Sequence, residues 1–310
     1  MAALQELAQQ HAIVAIFGGI FSAVMLAQLE TVQALQIPLI NPWASLAAIT
    51  RNGHTPNYAF RVAASDAEAN EFLVRYALEI VDSQRPGIIA ETSAWGEANV
   101  AGLLHWIERY GVTPAGVERF EPGDTNMTHQ LTRLRAAGAD TLLLISLAPE
   151  GAAIVRGLGT LGWKIPIVSH EGVSGGRFIE LAGVDNTEGV LTLQTFSFFG
   201  LLSTRAQAVL HAYHSRFRTR TVGELLAPVG VAHAYDGLHL LAQAIRQAGT
   251  TEGWAVREAL EHLPPYEGLI KRYAPAFTPD HHDPLQVQDY QMAVWHNGLL
   301  LPAPHPRLER

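Results

Sequence analysis

Short apolar runs alternate with longer helical stretches along most of the chain, and this alternation restricts the possible folds more than any other feature. The apolar run at residues 141–146 has the length of a strand, and the segment at 149–157 reads as the helix that follows it. Gly, Pro, Asn or Asp stands at many of the joints, as tight turns require. Strands separated by helices form βαβ crossovers and hence parallel sheets. The pattern predicts a doubly wound α/β fold.

The alternation assigns a strand or a helix to most of the chain. The predicted strands lie at residues 13–17, 37–40, 58–62, 87–90, 116–120, 141–146, 165–169, 190–193 and 291–296. The predicted helices lie at residues 3–10, 22–35, 67–81, 98–110, 128–137, 149–157, 176–181, 205–218 and 233–248. A chain of 310 residues is too long for one domain of about 150 residues. Because no low-complexity linker divides it, we expect two lobes that exchange strands at a hinge.

The run at residues 12–29 carries no charge and is long enough to suggest a transmembrane helix. It contains Gly18, Gly19 and Ser22, however, and the residues before it include Glu6 but neither Lys nor Arg. The basic start of a signal peptide is therefore missing. A buried parallel strand, a glycine turn and a buried helix produce the same continuous apolar run. We therefore expect no direct insertion into a membrane.

The composition excludes several classes of partner and chemistry. The net charge of −8 argues against a surface for nucleic acid or for an anionic membrane, because both need dense Lys and Arg. The chain has no Cys, so disulfides, thiolate catalysis and Cys-based metal sites are excluded.

Residues 172–176 match the G-x-S-x-G pattern of a hydrolase nucleophile, with a predicted strand before them and a predicted helix after. Acids and histidines further along the chain could complete a triad with Ser174; they are Asp236, Asp280, Asp283, His281, His282 and His296. No glycine-rich oxyanion motif precedes the pattern, and the following helix is short. A serine hydrolase that uses Ser174 stays an alternative, although small residues in a tight turn also explain the pattern.

Two further patterns resemble known sites but lack their context. Residues 157–162 match G-x-G-x-x-G, yet they follow a predicted helix and precede a strand, the reverse of a dinucleotide site. The adjacent His281, His282 and Asp283 cannot all face one ion, and prolines at 279 and 284 indicate a turn. We therefore expect a solvated loop there, with no metal site and no bound cofactor.

Glu171 lies just after the predicted strand at 165–169 and just before Gly172. In doubly wound sheets, ligands bind at the carboxyl ends of the strands. A carboxylate at that edge can meet the ammonium group of a ligand, or it can cap the next helix. The spacing alone slightly favours the cap.

Short segments in a fixed order run through nearly the whole chain. They are residues 14–22 (VAIFGGIFS), 37–45 (IPLINPWAS), 49–50 (IT), 59–61 (AFR) with Asp66, 95–97 (WGE), 148–150 (APE), 171–172 (EG), 234–236 (AYD) and 277–279 (FTP). No single segment is specific, but the ordered set resembles the bacterial leucine/isoleucine/valine-binding proteins, which are type I periplasmic receptors of ABC transporters.

The resemblance implies two doubly wound parallel-sheet lobes joined by hinge crossovers. It places residues 1–64 and 197–275 in the first lobe, and residues 65–196 and 276–310 in the second. In the family, a strand-helix-strand unit precedes the helix that corresponds to residues 3–10. The resemblance therefore implies that the first lobe is N-terminally incomplete, that the strand at 13–17 lacks a neighbour, and that the export signal is not in this chain.

The resemblance also implies a ligand-binding site. The hydroxyls of Ser22 and Ser45, with the backbone of Trp43, Ala44 and Ser45, correspond to the groups that hold the α-carboxylate and the α-ammonium. Trp95 corresponds to an aromatic residue that covers the ligand, and Glu171 to the acid that takes the ammonium. Leu147 stands where an aromatic residue is frequent, and Trp43 where a small one is usual. These two departures change the shape of the expected pocket.

The function that the resemblance implies is binding without catalysis. It is that of a periplasmic receptor that closes its lobes on a small neutral amino acid, apolar or aromatic, and delivers it to the permease of an ABC transporter. An amino-acid or amide sensor with the same fold, which regulates another protein, is the alternative.

Overall fold

In the computed structural model, residues 4–6, 8 and 13–308 are described, and the chain divides into two compact units. The first unit comprises Met1–Asp66 and Gly230–Asp289, and the second comprises Ala67–Val229 and Tyr290–Arg310. Each unit contains a parallel sheet and helices, so the predicted α/β fold class is confirmed. The predicted helix at 3–10 lies partly outside the described residues.

The two compact units divide the chain at positions that differ in part from the predicted lobe boundaries. The predicted break after residue 64 falls after Asp66, but the breaks at 196/197 and 275/276 fall at 229/230 and 289/290. Residues 197–229 therefore belong to the second unit, and residues 276–289 to the first. A helical pattern shows which face of a helix is buried but not which sheet that face covers.

The strands are short and follow the order of the predicted ones. They are β1 (Ile16–Phe17), β2 (Leu39–Asn41), β3 (Ala59–Arg61), β4 (Pro86–Glu91), β5 (Gly116–Phe120), β6 (Thr141–Ile145), β7 (Ile167–Ser169), β8 (Leu191–Gln194), β9 (Tyr266–Glu267), β10 (Arg272–Tyr273), β11 (Gln291–His296) and β12 (Leu299–Pro302). The helices are α1 (Ser22–Leu35), α2 (Asp66–Arg75), α3 (Ala94–Arg109), α4 (Thr128–Ala136), α5 (Ala148–Thr160), α6 (Phe178–Ala182), α7 (Val184–Thr187), α8 (Thr204–Phe217), α9 (Pro228–Ala248) and α10 (Gly253–Glu261).

The first unit contains the parallel sheet β1-β2-β3 and the antiparallel pair β9-β10. Helix α9 packs closely on the parallel sheet, because a Cβ at Gly237 would lie 3.1 Å from Phe17 and Val62 and 3.2 Å from Ile40. Strand β1 pairs with β2 on one side, and no strand among the described residues pairs with its other side.

The second unit contains a sheet in the order β12-β11-β8-β7-β6-β4-β5. Strands β4 to β8 pair in parallel, and β11 is antiparallel to both of its neighbours. Every residue of β6 is buried, as expected where helices cover both faces of a parallel sheet. On one face, Leu142 and Leu144 join Leu131 of α4 and Ile154 of α5 in an apolar core.

Helix α1 follows β1 after a turn at Gly18 and Gly19, as predicted for the uncharged run at residues 12–29, of which residues 13–29 are described, and both glycines have positive φ. Within the described residues, no helix is long and apolar enough to cross a membrane.

Candidate functional site

In the first unit, the loop after β2 is held by its own backbone bonds to Asn41. Asn41 Oδ1 accepts hydrogen bonds from the N–H groups of Trp43 (3.0 Å) and Ala44 (2.8 Å), and Asn41 Nδ2 donates to Ala44 O at 2.6 Å. This is an Asx-type turn, in which the side chain replaces a backbone partner. Two of the backbone N–H groups that were expected to bind a ligand are therefore already engaged within the protein.

Arg61 at the end of β3 holds the other side of the same loop. Its guanidinium is fully buried and donates to the carbonyl oxygens of Ala44, Ser45 and Leu46, the last at 2.9 Å. It also donates to Thr50 Oγ1 at 2.8 Å and forms an ion pair with Asp283 at 2.9 Å. These bonds fix the position of Ser45, which is itself buried.

Asp283 and His282 are part of the interior of the first unit. Burial raises the pKa of Asp283, but the Arg61 guanidinium and the Thr50 hydroxyl outweigh burial and hold that pKa below its usual value. His282 stacks on Phe60 with ring centroids 3.9 Å apart, and burial lowers its pKa. The expected solvated loop at 281–283 is therefore wrong for these two residues, because β3 pairs its polar groups with them.

Ser22 is buried and begins α1, just after β1, and the loop at 42–45 begins just after β2. Because β1 and β2 are adjacent and parallel, their carboxyl ends lie at the same edge of the sheet. The four predicted residues of the first unit, Ser22, Trp43, Ala44 and Ser45, therefore follow the ends of neighbouring strands.

In the second unit, the loops after β4, β6 and β7 meet at the carboxyl edge of the sheet. The Trp95 ring lies edge-on to His170 with centroids 5.3 Å apart. A Cβ at Gly172 would lie 3.3 Å from the Trp95 ring and in steric conflict with Ser146 O. Only glycine lets the loop at 170–172 approach the end of β6, next to Leu147, this closely.

Glu171 is 1% exposed and begins a 3-10 turn, Glu171–Ser174. Ser174 Oγ donates to the backbone carbonyl of Glu171 at 2.7 Å and accepts from Gln194 Nε2 at 3.0 Å. The Ser174 hydroxyl thus fixes the turn that carries Glu171. This bonding does not suit a nucleophile, which needs a base as its acceptor.

Two more carboxylates lie near this edge. Burial raises the pKa of Glu91, the last residue of β4, while a hydrogen bond from Ser93 opposes the rise and Glu150 adds to it. Glu150 itself accepts from the N–H of Gly123 at 2.9 Å. Across the described residues, no group of three His, Cys, Asp or Glu side chains is placed to hold a metal ion.

The structure places the three predicted residues of the second unit, Trp95, Leu147 and Glu171, at one edge of one sheet. Those of the first unit likewise follow β1 and β2. Sequence reasoning missed the roles of Asn41 and Arg61, which position the loop at 42–46. The Asn-Pro pair at the end of β2 was the available signal for Asn41. No local signal distinguished Arg61.

The chain matches the family described as periplasmic binding protein over residues 1–298. A curated relative, the Leu/Ile/Val-binding protein homolog 3 of Brucella melitensis, is 22% identical over 264 residues, which is 85% of this chain and 67% of the relative.

Three solved structures share the fold. A periplasmic binding protein type 1 from Bordetella pertussis has a TM-score of 0.87 at 25% identity. The match covers 97% of this chain and 83% of the Bordetella chain. The substrate-binding protein LivJ from Streptococcus pneumoniae, in complex with isoleucine, has a TM-score of 0.83 at 21% identity. That match covers 96% of this chain and 81% of LivJ. A solute-binding protein from R. palustris, in complex with 4-hydroxybenzoate, has a TM-score of 0.83 at 16% identity. That match covers 99% of this chain and 82% of the other.

Two doubly wound units, each with polar residues at the carboxyl edge of its sheet, define a bilobal solute-binding class of protein. This chain belongs to the periplasmic binding protein family. The resemblance to leucine/isoleucine/valine-binding proteins is thereby confirmed.

Proposed function

We propose that this chain is a periplasmic receptor that binds a neutral, apolar or aromatic α-amino acid and delivers it to an ABC-transporter permease. The observation that carries the proposal is the buried Glu171, whose neighbours in the chain, His170 and Gly172, both lie close to the Trp95 ring at the carboxyl edge of the second unit's sheet. A buried carboxylate matches an ammonium group, which an amino acid has and a simple organic acid lacks. Trp95 offers an apolar cover for the side chain.

The α-carboxylate of the ligand needs hydrogen-bond donors, and Ser22 and Ser45 supply hydroxyls for it. Asn41 already engages the N–H groups of Trp43 and Ala44, so we assign these two residues to the shape of the pocket instead of to the carboxylate. Leu147 and Trp43 then set which side chain fits. Binding without catalysis agrees with the bonding of Ser174, whose hydroxyl donates to a backbone carbonyl.

The test compares leucine with 4-methylpentanoate, which has the same carbon skeleton without the ammonium group, by calorimetry. Wild-type protein is expected to prefer leucine, and Glu171→Gln should weaken leucine binding by about 2–5 kcal/mol because a buried ammonium loses its counter-charge. The same substitution should leave 4-methylpentanoate binding unchanged or improved.

Glu108→Gln, an exposed acid on α3, is the matched control and should bind leucine like the wild type. Unchanged leucine affinity in Glu171→Gln would remove Glu171 from the site. Tight binding of 4-hydroxybenzoate in place of every amino acid of a twenty-member panel would replace the amino-acid proposal with an aromatic-acid one.

A further inference from the structure

A cavity lies in the second unit, and the turn that carries Ser174 forms part of its wall. Its volume is about 190 Å³, and aromatic and aliphatic side chains form its walls, among them Phe178, Phe196, Phe198, Leu225 and Trp295. Among the described residues, Trp95, Leu147 and Glu171 are not part of its lining. A dry apolar cavity of about 150 Å³ suffices for benzene, so this one has room for a single ring.

One polar group on this lining has a defined chemistry. Gln194 is 2% exposed, and its Nε2 donates to Ser174 Oγ at 3.0 Å and to Leu193 O at 2.6 Å. The Ser174 proton is already used on Glu171 O, so Ser174 Oγ can only accept from Gln194. The amide is therefore oriented, and its oxygen is an acceptor. Among the described residues, Gln194 Oε1 is buried and has no hydrogen-bond partner.

The charges at the cavity exclude an ionised occupant. Arg177 and Glu180 are the charged residues of its described lining, and they pair with each other at 2.5 Å, with both side chains more than half exposed. Trp295 donates its N–H to Thr192 Oγ1 at 3.2 Å, so it offers no free donor. An occupant must therefore be neutral and apolar, and it must bring one donor for Gln194 Oε1, since an unmatched buried acceptor is unfavourable.

We propose that this cavity is a second ligand site, which binds a neutral single-ring aromatic molecule that carries one hydrogen-bond donor, such as a phenol. The ring fills the space between Phe178, Phe198 and Trp295, and the hydroxyl donates to Gln194 Oε1. This site is separate from the proposed amino-acid site and does not depend on Glu171.

The experiment measures binding of phenol and of anisole, which has a ring of the same kind but no donor, by calorimetry and ligand-detected NMR. Phenol should bind with one-to-one stoichiometry, and anisole about tenfold more weakly, which is the effect of one buried hydrogen bond. Gln194→Leu should lower the affinity for phenol to that for anisole and leave anisole unchanged. Gln130→Leu, on α4 and away from the cavity, should change neither.

Leu225→Trp, which fills the cavity from a loop outside the sheet, should abolish the binding of phenol and of anisole. The folding of this variant is checked by circular dichroism. Saturating leucine and the Glu171→Gln substitution should leave phenol binding unchanged, which separates this site from the amino-acid site. Equal affinities for phenol and anisole in wild type and Gln194→Leu would overturn the proposal. Displacement of phenol by leucine, or no saturable binding of phenol, would overturn it as well.

Discussion

His233 is the residue whose protonation most clearly opposes folding. It is fully buried in α9 and shares a hydrogen bond of 2.9 Å between its Nδ1 and Pro42 O. A carbonyl can only accept, so the ring is neutral with its proton on Nδ1. Burial lowers the pKa of His233 from its ordinary 6.5 to about 4, and the bond to Pro42 only partly opposes this.

The direction of the pH effect follows from linkage. Between pH 6.5 and about 4 the unfolded chain binds the His233 proton and the folded chain does not, so stability falls as the pH falls through this window. The loss reaches roughly 3 kcal/mol at pH 4. His282, whose pKa is also lowered by burial, acts in the same direction.

We therefore expect His233→Gln to show a shallower decrease in unfolding free energy than the wild type between pH 6.5 and 4, measured by urea unfolding. His211→Gln, at an exposed position on α8, should keep the wild-type slope. Parallel slopes for wild type and His233→Gln would contradict the assigned burial of a neutral ring.

Arg61 is the second residue with a structural role that a conservative substitution cannot keep. A lysine retains the charge but cannot reach three carbonyls, a hydroxyl and a carboxylate with one planar fork. Arg61→Lys should lower the unfolding free energy by about 3–5 kcal/mol and weaken leucine binding, since Ser45 loses its support. Arg51→Lys is the control, because Arg51 is half exposed and meets Asp283 at 3.3 Å. A similar effect of both substitutions would reject the positioning role of Arg61.

At the scale of elements, the hydrophobic pattern predicted most of the second unit's sheet. Strands β5 and β11 have the predicted bounds, as does helix α1. Helix α10 was missed because its nine residues, Gly253–Glu261, begin at a glycine and lack a side-chain cap. Strand β12 was not predicted; it pairs with β11 as an antiparallel hairpin. Helix α8 was predicted as a helix of the first lobe, and it lies in the second compact unit.

The candidate site was predictable to the extent that it depends on strand ends. Glu171 was singled out because it follows a recognised strand, and doubly wound sheets bind ligands there. Trp95 and Ser45 were predicted from the resemblance to the family. Arg61 and Asp283 are more than 200 residues apart in the chain, and only folding brings them to 2.9 Å. Which residues support a site is therefore harder to predict than which residues form it.

Gly172 tests whether the close approach of the β6 and β7 loops matters. Gly172→Ala places a methyl group against Ser146 O, so the loop must move, and overpacking of this kind costs about 1–3 kcal/mol. We expect lower stability and weaker leucine binding, because Glu171 moves with the loop. Gly116→Ala is the control, since its new Cβ would meet Leu134 at an ordinary 3.5 Å. Normal leucine affinity in Gly172→Ala would show that the approach is not needed.

At the scale of the whole molecule, the proposed ligand contacts come from both units. Ser22 and Ser45 belong to the first unit, and Trp95 and Glu171 to the second. The chain passes between the units at 66/67, 229/230 and 289/290, so three crossovers join them. Under the proposed function, a ligand that engages residues of both units would need a movement about these crossovers to enter and leave.

We therefore predict that saturating leucine reduces the radius of gyration measured by small-angle X-ray scattering. A ligand shifts an equilibrium between two states only when it binds one of them more tightly than the other. Under the proposed function, the Glu171 carboxylate and the hydroxyls of Ser22 and Ser45 would together supply this difference. Glu171→Gln at the same leucine concentration should keep the radius of the free protein. Addition of 4-methylpentanoate should likewise leave the wild type open. Identical scattering curves for the wild type with and without leucine, under conditions where calorimetry shows saturation, would mean that the ligand binds one unit alone.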